Sequence, residues 1–158
     1  MRGAKLDRID RRILRDLQAN GRITNVELAR RAGISAPPCL RRVRALEEGG
    51  LIKGYHADLD PSLLGYGVTV FALVGLASQA EPDLKAFEDL VTSWPEVREC
   101  HMLAGENDFL LKVVAVDWDS YQKFLTNRLT RAPKVSHVKS SLCIRSGKVL
   151  PGVPIEAD

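Results

Sequence analysis

The chain has 158 residues, 45% hydrophobic and 27% charged, a balance that is ordinary for a globular protein with one mid-sized domain or two small ones. No apolar run approaches the ~18 residues of a membrane span, and no apolar segment follows the basic N-terminus, so we expect a cytoplasmic protein without a membrane partner. The three cysteines lack Cys-x-x-Cys spacing, which argues against a disulfide framework or a structural zinc site, and we expect no metal and no cofactor.

The net charge of +3 is unevenly distributed along the chain. Residues 1–54 contain 13 Lys or Arg against 6 Asp or Glu, a net charge of +7. Residues 55–158 contain 10 basic and 14 acidic residues, a net charge of −4. This split favours two domains with different partners, the first of which binds a polyanion.

Two short helices are predicted in the basic segment. Apolar residues at helical spacing predict the first, with Asp7 as its cap and Asn20-Gly21 at its end. Thr24 and Glu27 fit the capping box of the second, in which each side chain accepts from the other residue's backbone. We expect this second helix to run to about Arg31.

A third helix follows after the short turn Ala32-Gly33-Ile34. Gly33 can adopt a positive φ, Ser35 is expected to cap the helix, and Gly49-Gly50 is expected to end it. A Gly-containing turn of this length between the second and third helices is the helix-turn-helix signature, in which the third helix enters the major groove of DNA.

The third helix has one apolar face and one small, cationic face. A helical wheel places Leu40, Val43 and Leu46 on the apolar side, and Cys39 falls toward it as a small core residue. Arg41 lies on the opposite side, where an arginine can form a bidentate contact with guanine or pair with a phosphate. The proline and alanine residues on this side permit the helix to approach DNA closely. The predicted DNA-binding residues are Ser35, Pro37, Pro38, Arg41, Arg42 and Arg44.

The segment after the third helix begins as a short strand and stops at Asp60-Pro61, where we place the domain boundary. Beyond it the order is strand, helix, strand, strand, helix, strand, which is the ferredoxin-like split βαβ arrangement. The strands are predicted at 68–77, 97–104, 109–116 and about 135–150, and the helices begin near Pro82 and at Asp117 or Asp119.

We therefore predict an α+β protein with three parts. Residues 1–61 form an N-terminal winged helix-turn-helix domain with its linker strand, residues 62–150 form a ferredoxin-like βαββαβ domain, and residues 151–158 form a tail. The strands at 68–77 and 109–116 are apolar on both faces, whereas one open sheet face normally gives polar alternation. The apolar character of the open face is better explained if this face packs against a second copy of the chain, so we expect a homodimer.

The turn Gly105-Glu106-Asn107-Asp108 joins the second and third predicted strands. Its residue types are typical of a plain hairpin turn, which the residues alone favour. The same turn could also bind a free amino acid, because a Gly-led turn exposes backbone N–H groups for a carboxylate and Glu106 or Asp108 offers an anion for the ammonium.

No catalytic pair is evident, and we do not expect an enzyme. Cys100 and His101 are adjacent on a predicted strand, so their side chains point to opposite faces and cannot act together as nucleophile and base. His56 and His137 are isolated in the sequence and are interpreted as surface or interface residues.

The motifs of both halves resemble those of the Lrp/AsnC, or feast/famine, transcriptional regulators, particularly the leucine-responsive branch. The resemblance rests on Leu6-Asp7, Asn20-Gly21-Arg22, Glu27-Leu28-Ala29, Gly33-Ile34-Ser35, Pro38-Cys39-Leu40, Gly50-Leu51-Ile52, Glu99-Cys100-His101 and Gly105-x-x-Asp108-Phe109-Leu110.

This resemblance implies a double-stranded-DNA-binding regulator that responds to an amino acid bound near residues 105–108 at a subunit interface. It also implies dimers formed through the ferredoxin-like domains, which often assemble into tetramers or octamers. Asn107 stands where many members of the family have an aromatic residue.

Two alternatives remain open. A siroheme decarboxylase-like enzyme would have a similar two-domain layout and would bind a tetrapyrrole between its domains, although the cationic third helix argues against it. A non-specific architectural DNA-binding protein would share the basic helix without reading a particular sequence.

Overall fold

The computed structural model describes residues 5–156, which divide into two compact units. The first unit combines residues 5–58 with residues 148–156, and the second unit consists of residues 59–147. Among the described residues, no helix is both long enough and apolar enough to cross a membrane.

The first unit contains three helices, α1 (Arg8–Ala19), α2 (Asn25–Ala32) and α3 (Ala36–Glu48), as predicted. Apolar residues from all three form one core, and Cys39 is fully buried in it, which confirms its interpretation as a core residue. The fully or almost fully buried members of this core are Ile13, Leu28, Ala29, Ala32, Cys39 and Leu46.

The first two helices begin with different caps. Asp7 and Asp10 form a complete capping box, in which each carboxylate accepts the other residue's backbone N–H, at 2.8 and 3.2 Å. Thr24 accepts the N–H of Glu27 at 3.2 Å, but the Glu27 carboxylate binds two arginines of α2 instead of returning to the Thr24 backbone. The capping box predicted at α2 is therefore only half formed.

The helical wheel was wrong about Leu40, which is 39% exposed. The buried side of α3 is centred on Cys39 and Leu46, with Val43 half-buried between them. Leu40 is one residue beyond Cys39, and hence about 100° around the helix, which places it on the flank of the buried side.

The strand predicted after α3 does not form, and residues 51–60 have no regular secondary structure. The N–H groups of Leu51 and Ile52 both donate to the carbonyl of Leu46, at 3.0 and 3.2 Å, and the Tyr55 hydroxyl donates to Glu47 at 2.8 Å. These contacts hold the segment against the end of α3. A strand requires a hydrogen-bonded partner strand, and this segment has none within the described chain.

The second unit contains a four-stranded sheet and two helices in the predicted order. Its strands are β1 (Val68–Leu76), β2 (Val97–Met102), β3 (Phe109–Ala115) and β4 (Val135–Leu142), and its helices are α4 (Glu81–Thr92) and α5 (Trp118–Asn127). The strands pair in the order β2-β3-β1-β4, and all neighbours are antiparallel. This arrangement confirms the ferredoxin-like prediction.

The strand β4 is shorter than the predicted 135–150. Its last hydrogen bond to β1 runs from the N–H of Cys143 to the carbonyl of Thr69 at 2.9 Å. Because β1 begins at Val68, no neighbouring strand remains to pair with residues beyond this point.

One face of the sheet packs under α4 and α5. Alternate residues of β1 and β3 are buried there against aromatic residues of the helices, including Phe87 and Tyr121. The Asp117 side chain accepts from the N–H of Ser120 at 2.7 Å and starts α5, which settles the choice between Asp117 and Asp119.

The other face of the sheet has a mostly apolar centre between two polar edges. Lys112 of β3 interrupts this centre opposite Phe71, and its Nζ lies 2.8 Å from Glu99 Oε1 at the β2 edge. Phe71 and Leu73 of β1 alternate with the buried residues and are only half-buried, as are Leu110 and Val114 of β3. The edge strands carry polar residues on this face, namely Glu99 and His101 on β2 and His137, Lys139 and Ser141 on β4.

The predicted tail contacts the first unit. The Gln18 side chain donates from Nε2 to the carbonyl of Val153 at 2.7 Å and accepts its N–H at 3.2 Å. Gly152 has a φ of 66°, and a side chain there would collide with Gln18. The end of the described chain is thus part of the helical unit.

Candidate functional site

Local contacts fix the turn between α2 and α3. Gly33 adopts a φ of 74°, and the N–H of Ile34 donates to the carbonyl of Ala29 at 3.0 Å. The Asn25 side chain donates to the carbonyl of Ala36 at 2.9 Å, which links the starts of the two helices. These contacts set the direction in which α3 leaves α2.

Ser35 occupies the cap position of α3, but its side chain does not cap the helix. A capping side chain accepts the N–H of the second or third helical residue. Those residues are Pro37 and Pro38, which have no N–H. The prediction that Ser35 caps α3 is therefore wrong, and its exposed hydroxyl is available to another partner.

The outward side of α3 carries Arg41 and Arg44, both exposed. Neither forms an ion pair within residues 5–156. Pro37 is exposed and Pro38 half-buried at the start of the same helix. The outward side of α3 thus combines small residues at its start with cationic side chains that make no internal ion pair.

Arg42 is oriented differently from Arg41 and Arg44. Its Nη1 lies 2.8 Å from Asp7 Oδ2 and 2.7 Å from Asp10 Oδ1, both at the start of α1. The hydrogen bond from the Asp10 backbone and the contact with Arg42 lower the pKa of Asp7, and the two carboxylates raise the pKa of Arg42. In this structure Arg42 contacts α1, which differs from its predicted role at DNA.

A second basic pair, on α2, was missed in the sequence. Arg30 binds both carboxylate oxygens of Glu27 at 2.7 Å, and Arg31 binds one of them at 2.8 Å. These two hydrogen-bonded arginines lower the pKa of Glu27 to about 2. A glutamate followed by arginines three and four positions later is a signal that could have identified the cluster.

The four predicted effector residues lie in the loop between β2 and β3, next to the end of β1. Asp108 anchors this loop: its N–H donates to the Val74 carbonyl at 3.0 Å, and its Oδ2 accepts the Leu76 N–H at 2.6 Å. The Leu103 N–H donates to the Asp108 carbonyl at 2.8 Å and closes the loop. One carboxylate oxygen of Asp108 is therefore already bonded within the protein.

The rest of the loop keeps its polar groups free. Within the described range, the N–H groups of residues 105–107 donate no hydrogen bond. A side chain at Gly105 would meet nothing within 4 Å, and Glu106 is exposed. Unbonded N–H groups beside carboxylates are chemically suited to the carboxylate and ammonium of a free amino acid.

His137 is not isolated, in contrast to its interpretation from the sequence. Its Nε2 lies 3.1 Å from Asn107 Oδ1, so the start of β4 contacts the loop. The two residues are 30 positions apart, and no local pattern connects them.

The described residues contain no cluster of His, Cys, Asp and Glu of the kind that holds a metal ion. Cys100 lies half-buried against the helical side of the sheet, where burial and then Glu88 raise its pKa to about 11. His101 is exposed. The two side chains point to opposite sides, as predicted.

Family models match both units. The model of the Lrp/AsnC ligand binding domain matches residues 69–152, and a model of winged helix-turn-helix DNA-binding domains matches residues 6–53.

Individual proteins match along nearly the whole chain. The leucine-responsive regulatory protein of Rhizobium meliloti (strain 1021) is 55% identical over 144 residues, which cover 91% of this chain and 92% of that protein. A Neisseria meningitidis transcriptional regulator crystallised with L-methionine has a TM-score of 0.90 and 36% identity, with coverage of 95% and 97%. An AsnC family regulator from Agrobacterium tumefaciens has a TM-score of 0.88 and 36% identity, with coverage of 94% and 97%.

Proposed function

The chain belongs to the Lrp/AsnC family of transcriptional regulators, and from this premise we propose that it reads a specific double-stranded DNA sequence under the control of an amino acid. The relatives reported above are named as regulators, which favours this function over the decarboxylase alternative.

The exposed cationic side of α3 carries this proposal. Arg41 and Arg44 form no internal ion pair in the described chain, so both guanidinium groups can contact DNA without breaking a contact of the protein. Ser35, left without a capping partner by Pro37 and Pro38, can donate to a phosphate at the start of the helix. Arg42 contributes indirectly, by holding α3 against α1.

The loop 105–108 is the proposed effector site. Its unbonded N–H groups would donate hydrogen bonds to the carboxylate of an amino acid, and Glu106 and the second oxygen of Asp108 would accept hydrogen bonds from its ammonium. The methionine complex of the Neisseria regulator and the name of the Rhizobium relative make L-methionine and L-leucine the first effectors to test.

A second copy is the proposed cover of the open sheet face. Phe71, Leu73, Leu110 and Val114 form a mostly apolar centre, interrupted by Lys112. The single layer of helices lies on the opposite face and cannot cover it. A homodimer would bury this centre and place two α3 helices on one DNA site, with tetramers or octamers as further assemblies.

The test is selection of bound DNA from a random pool, with and without L-methionine or L-leucine. We expect an enriched motif for the full chain and a changed base preference at one position of that motif for Arg41→Ala. Arg98→Ala, an exposed arginine of β2, is the matched control and should retain the motif. Tight binding without any enriched motif would support the architectural alternative, and an unchanged motif for Arg41→Ala would contradict the proposed role of α3.

A further inference from the structure

A network of hydrogen bonds joins the proposed effector loop to two neighbouring segments of the sheet. The Ser136 hydroxyl lies 2.9 Å from the Gly75 carbonyl and 3.0 Å from His137 Nδ1. On the other side of the imidazole ring, His137 Nε2 lies 3.1 Å from Asn107 Oδ1. This hydrogen-bond network therefore joins the end of β1, the start of β4 and the loop.

The available hydrogen-bond donors determine which nitrogen of the His137 ring carries a proton. The Gly75 carbonyl can only accept, so the single hydroxyl proton of Ser136 is donated to it. His137 Nδ1 must then be protonated in order to donate to the Ser136 oxygen. The protonation of Nε2 is the remaining variable.

Two protonation states of His137 allow every hydrogen bond of this network to form. When Nε2 is also protonated, the imidazolium donates to the Asn107 oxygen, and the NH₂ of that amide faces away from the ring. When Nε2 is not protonated, the Asn107 amide must turn by 180° so that its NH₂ donates to the ring and its oxygen faces away. Protonation of His137 thereby changes the free end of Asn107 from an acceptor into a donor.

Gly75 is the residue that makes room for this ring. It is buried beneath His137, and a Cβ at position 75 would collide with the ring atom Cε1. Its backbone does not have a positive φ, so the glycine is required for space rather than for conformation. The His137 ring can lie here only because position 75 has no side chain.

The charged groups around the ring are few. The loop carries Glu106 and Asp108, and β4 with its preceding residue carries Lys139 and Lys134. The strand β1 has no charged residue. A free amino acid keeps both of its charges near neutral pH.

We propose that His137 is a positioning residue of the effector loop, and that its protonation state decides whether Asn107 offers the ligand a donor or an acceptor. This inference rests on the effector site proposed above. The free N–H groups of residues 105–107 suit the carboxylate of the ligand, so a donor at Asn107 and a positive ring both favour binding. Amino-acid affinity therefore increases when His137 takes up a proton.

Calorimetric titration of the full chain with L-methionine and L-leucine between pH 5.5 and 8 tests this inference. We expect about tenfold tighter binding at the lower pH, the typical effect of one charge-assisted hydrogen bond. His137→Phe, which keeps a flat ring but cannot hydrogen-bond, should abolish the pH dependence, and His56→Phe should retain it. Gly75→Ala should act like His137→Phe, whereas Gly147→Ala, where a Cβ meets nothing within 4 Å, should have no effect.

Nitrogen-15 NMR of the His137 ring gives a readout that does not require a ligand. The neutral ring should carry its proton on Nδ1, and a proton on Nε2 would overturn the inference. Amino-acid binding that does not depend on pH, or that keeps its pH dependence in His137→Phe, would also overturn it while leaving the proposed effector function intact. If no amino acid bound at any pH, the proposed effector function and this inference would both fail.

Discussion

Arg42 Nη1 lies 2.7 Å from Asp10 Oδ1, and this ion pair joins the third helix to the first. Asp10 also belongs to the capping box that starts α1, so one carboxylate serves the helix start and the interhelical contact. The helix that is proposed to contact DNA is thus held from behind by a charge pair, while Arg41 remains exposed on its outer side.

Arg42→Ala should weaken DNA binding through the stability of the helical unit. The ion pairs are partly exposed, so we expect a modest lowering of Tm, by about 2–4 °C, with no change in base preference. Differential scanning calorimetry and DNA selection together test this. A changed base preference without a lower Tm would show that Arg42 contacts DNA instead.

Arg41→Ala should change base preference, because Arg41 projects directly away from the buried side of α3. Loss of a bidentate contact to guanine costs about 1–3 kcal/mol at one position of the site. Arg44→Ala should weaken binding to all sequences by a similar factor and reduce the salt dependence, as expected for a phosphate contact. Binding titrations on single-base variants of the selected site at two salt concentrations separate the two roles.

Phe71→Asp should disrupt the proposed dimer. Val70 faces the helical core and Phe71 faces the open side of the sheet, so only position 71 tests the interface without breaking the fold. Sedimentation should show a smaller species for Phe71→Asp and no change for Gln122→Asp, an exposed position on α5. A folded parent chain that sediments as a monomer at micromolar concentration would contradict the dimer itself.

The features that were correctly predicted from the sequence depend on near neighbours in the chain. The Asp7 cap and the Gly33 turn are set by residues a few positions away, and the alternation of apolar residues identifies the strands. The failed cap at Ser35 was also predictable in principle, because the two prolines that lack the required N–H follow it directly.

Other features depend on residues far apart in the sequence. The Arg42 contact spans 32 positions and the His137 contact spans 30, so no periodicity reveals either. The end of β4 is set by where β1 begins, because a strand ends when its neighbour does. Which of these distant pairs form is decided by the packing of the whole unit.

The thiols of Cys39 and Cys100 should react slowly in the folded protein. Burial raises the pKa of both, that of Cys100 to about 11, so the reactive thiolate is scarce at pH 8. Because the pKa of Cys100 lies above its unfolded value of 9.0, its contribution to stability is complete below pH 9 and is lost as the pH rises toward about 11. Alkylation with iodoacetamide followed by mass spectrometry should label both only after unfolding, and rapid native labelling of Cys100 would contradict its burial.

Asp108 combines a structural and a proposed binding role, which two substitutions can separate. Its Oδ2 accepts the N–H of Leu76, and its other oxygen is the proposed partner of the ligand ammonium. Asp108→Asn keeps an acceptor for Leu76 but loses the charge, so it should fold normally and bind L-methionine weakly. Asp108→Ala leaves the N–H of a residue that is only 5% exposed without its acceptor and should also lower the free energy of unfolding by about 1–3 kcal/mol.

Urea unfolding measures the structural role, and operator binding with and without L-methionine measures the ligand role. Without ligand, Asp108→Asn should bind DNA like the parent, because the loop and α3 belong to different units. With ligand, its response should be blunted, since an effector shifts DNA binding only by its difference in affinity between two states. Full methionine affinity in Asp108→Asn would place the ammonium partner at another residue and leave Asp108 with the single role of anchoring the loop to β1.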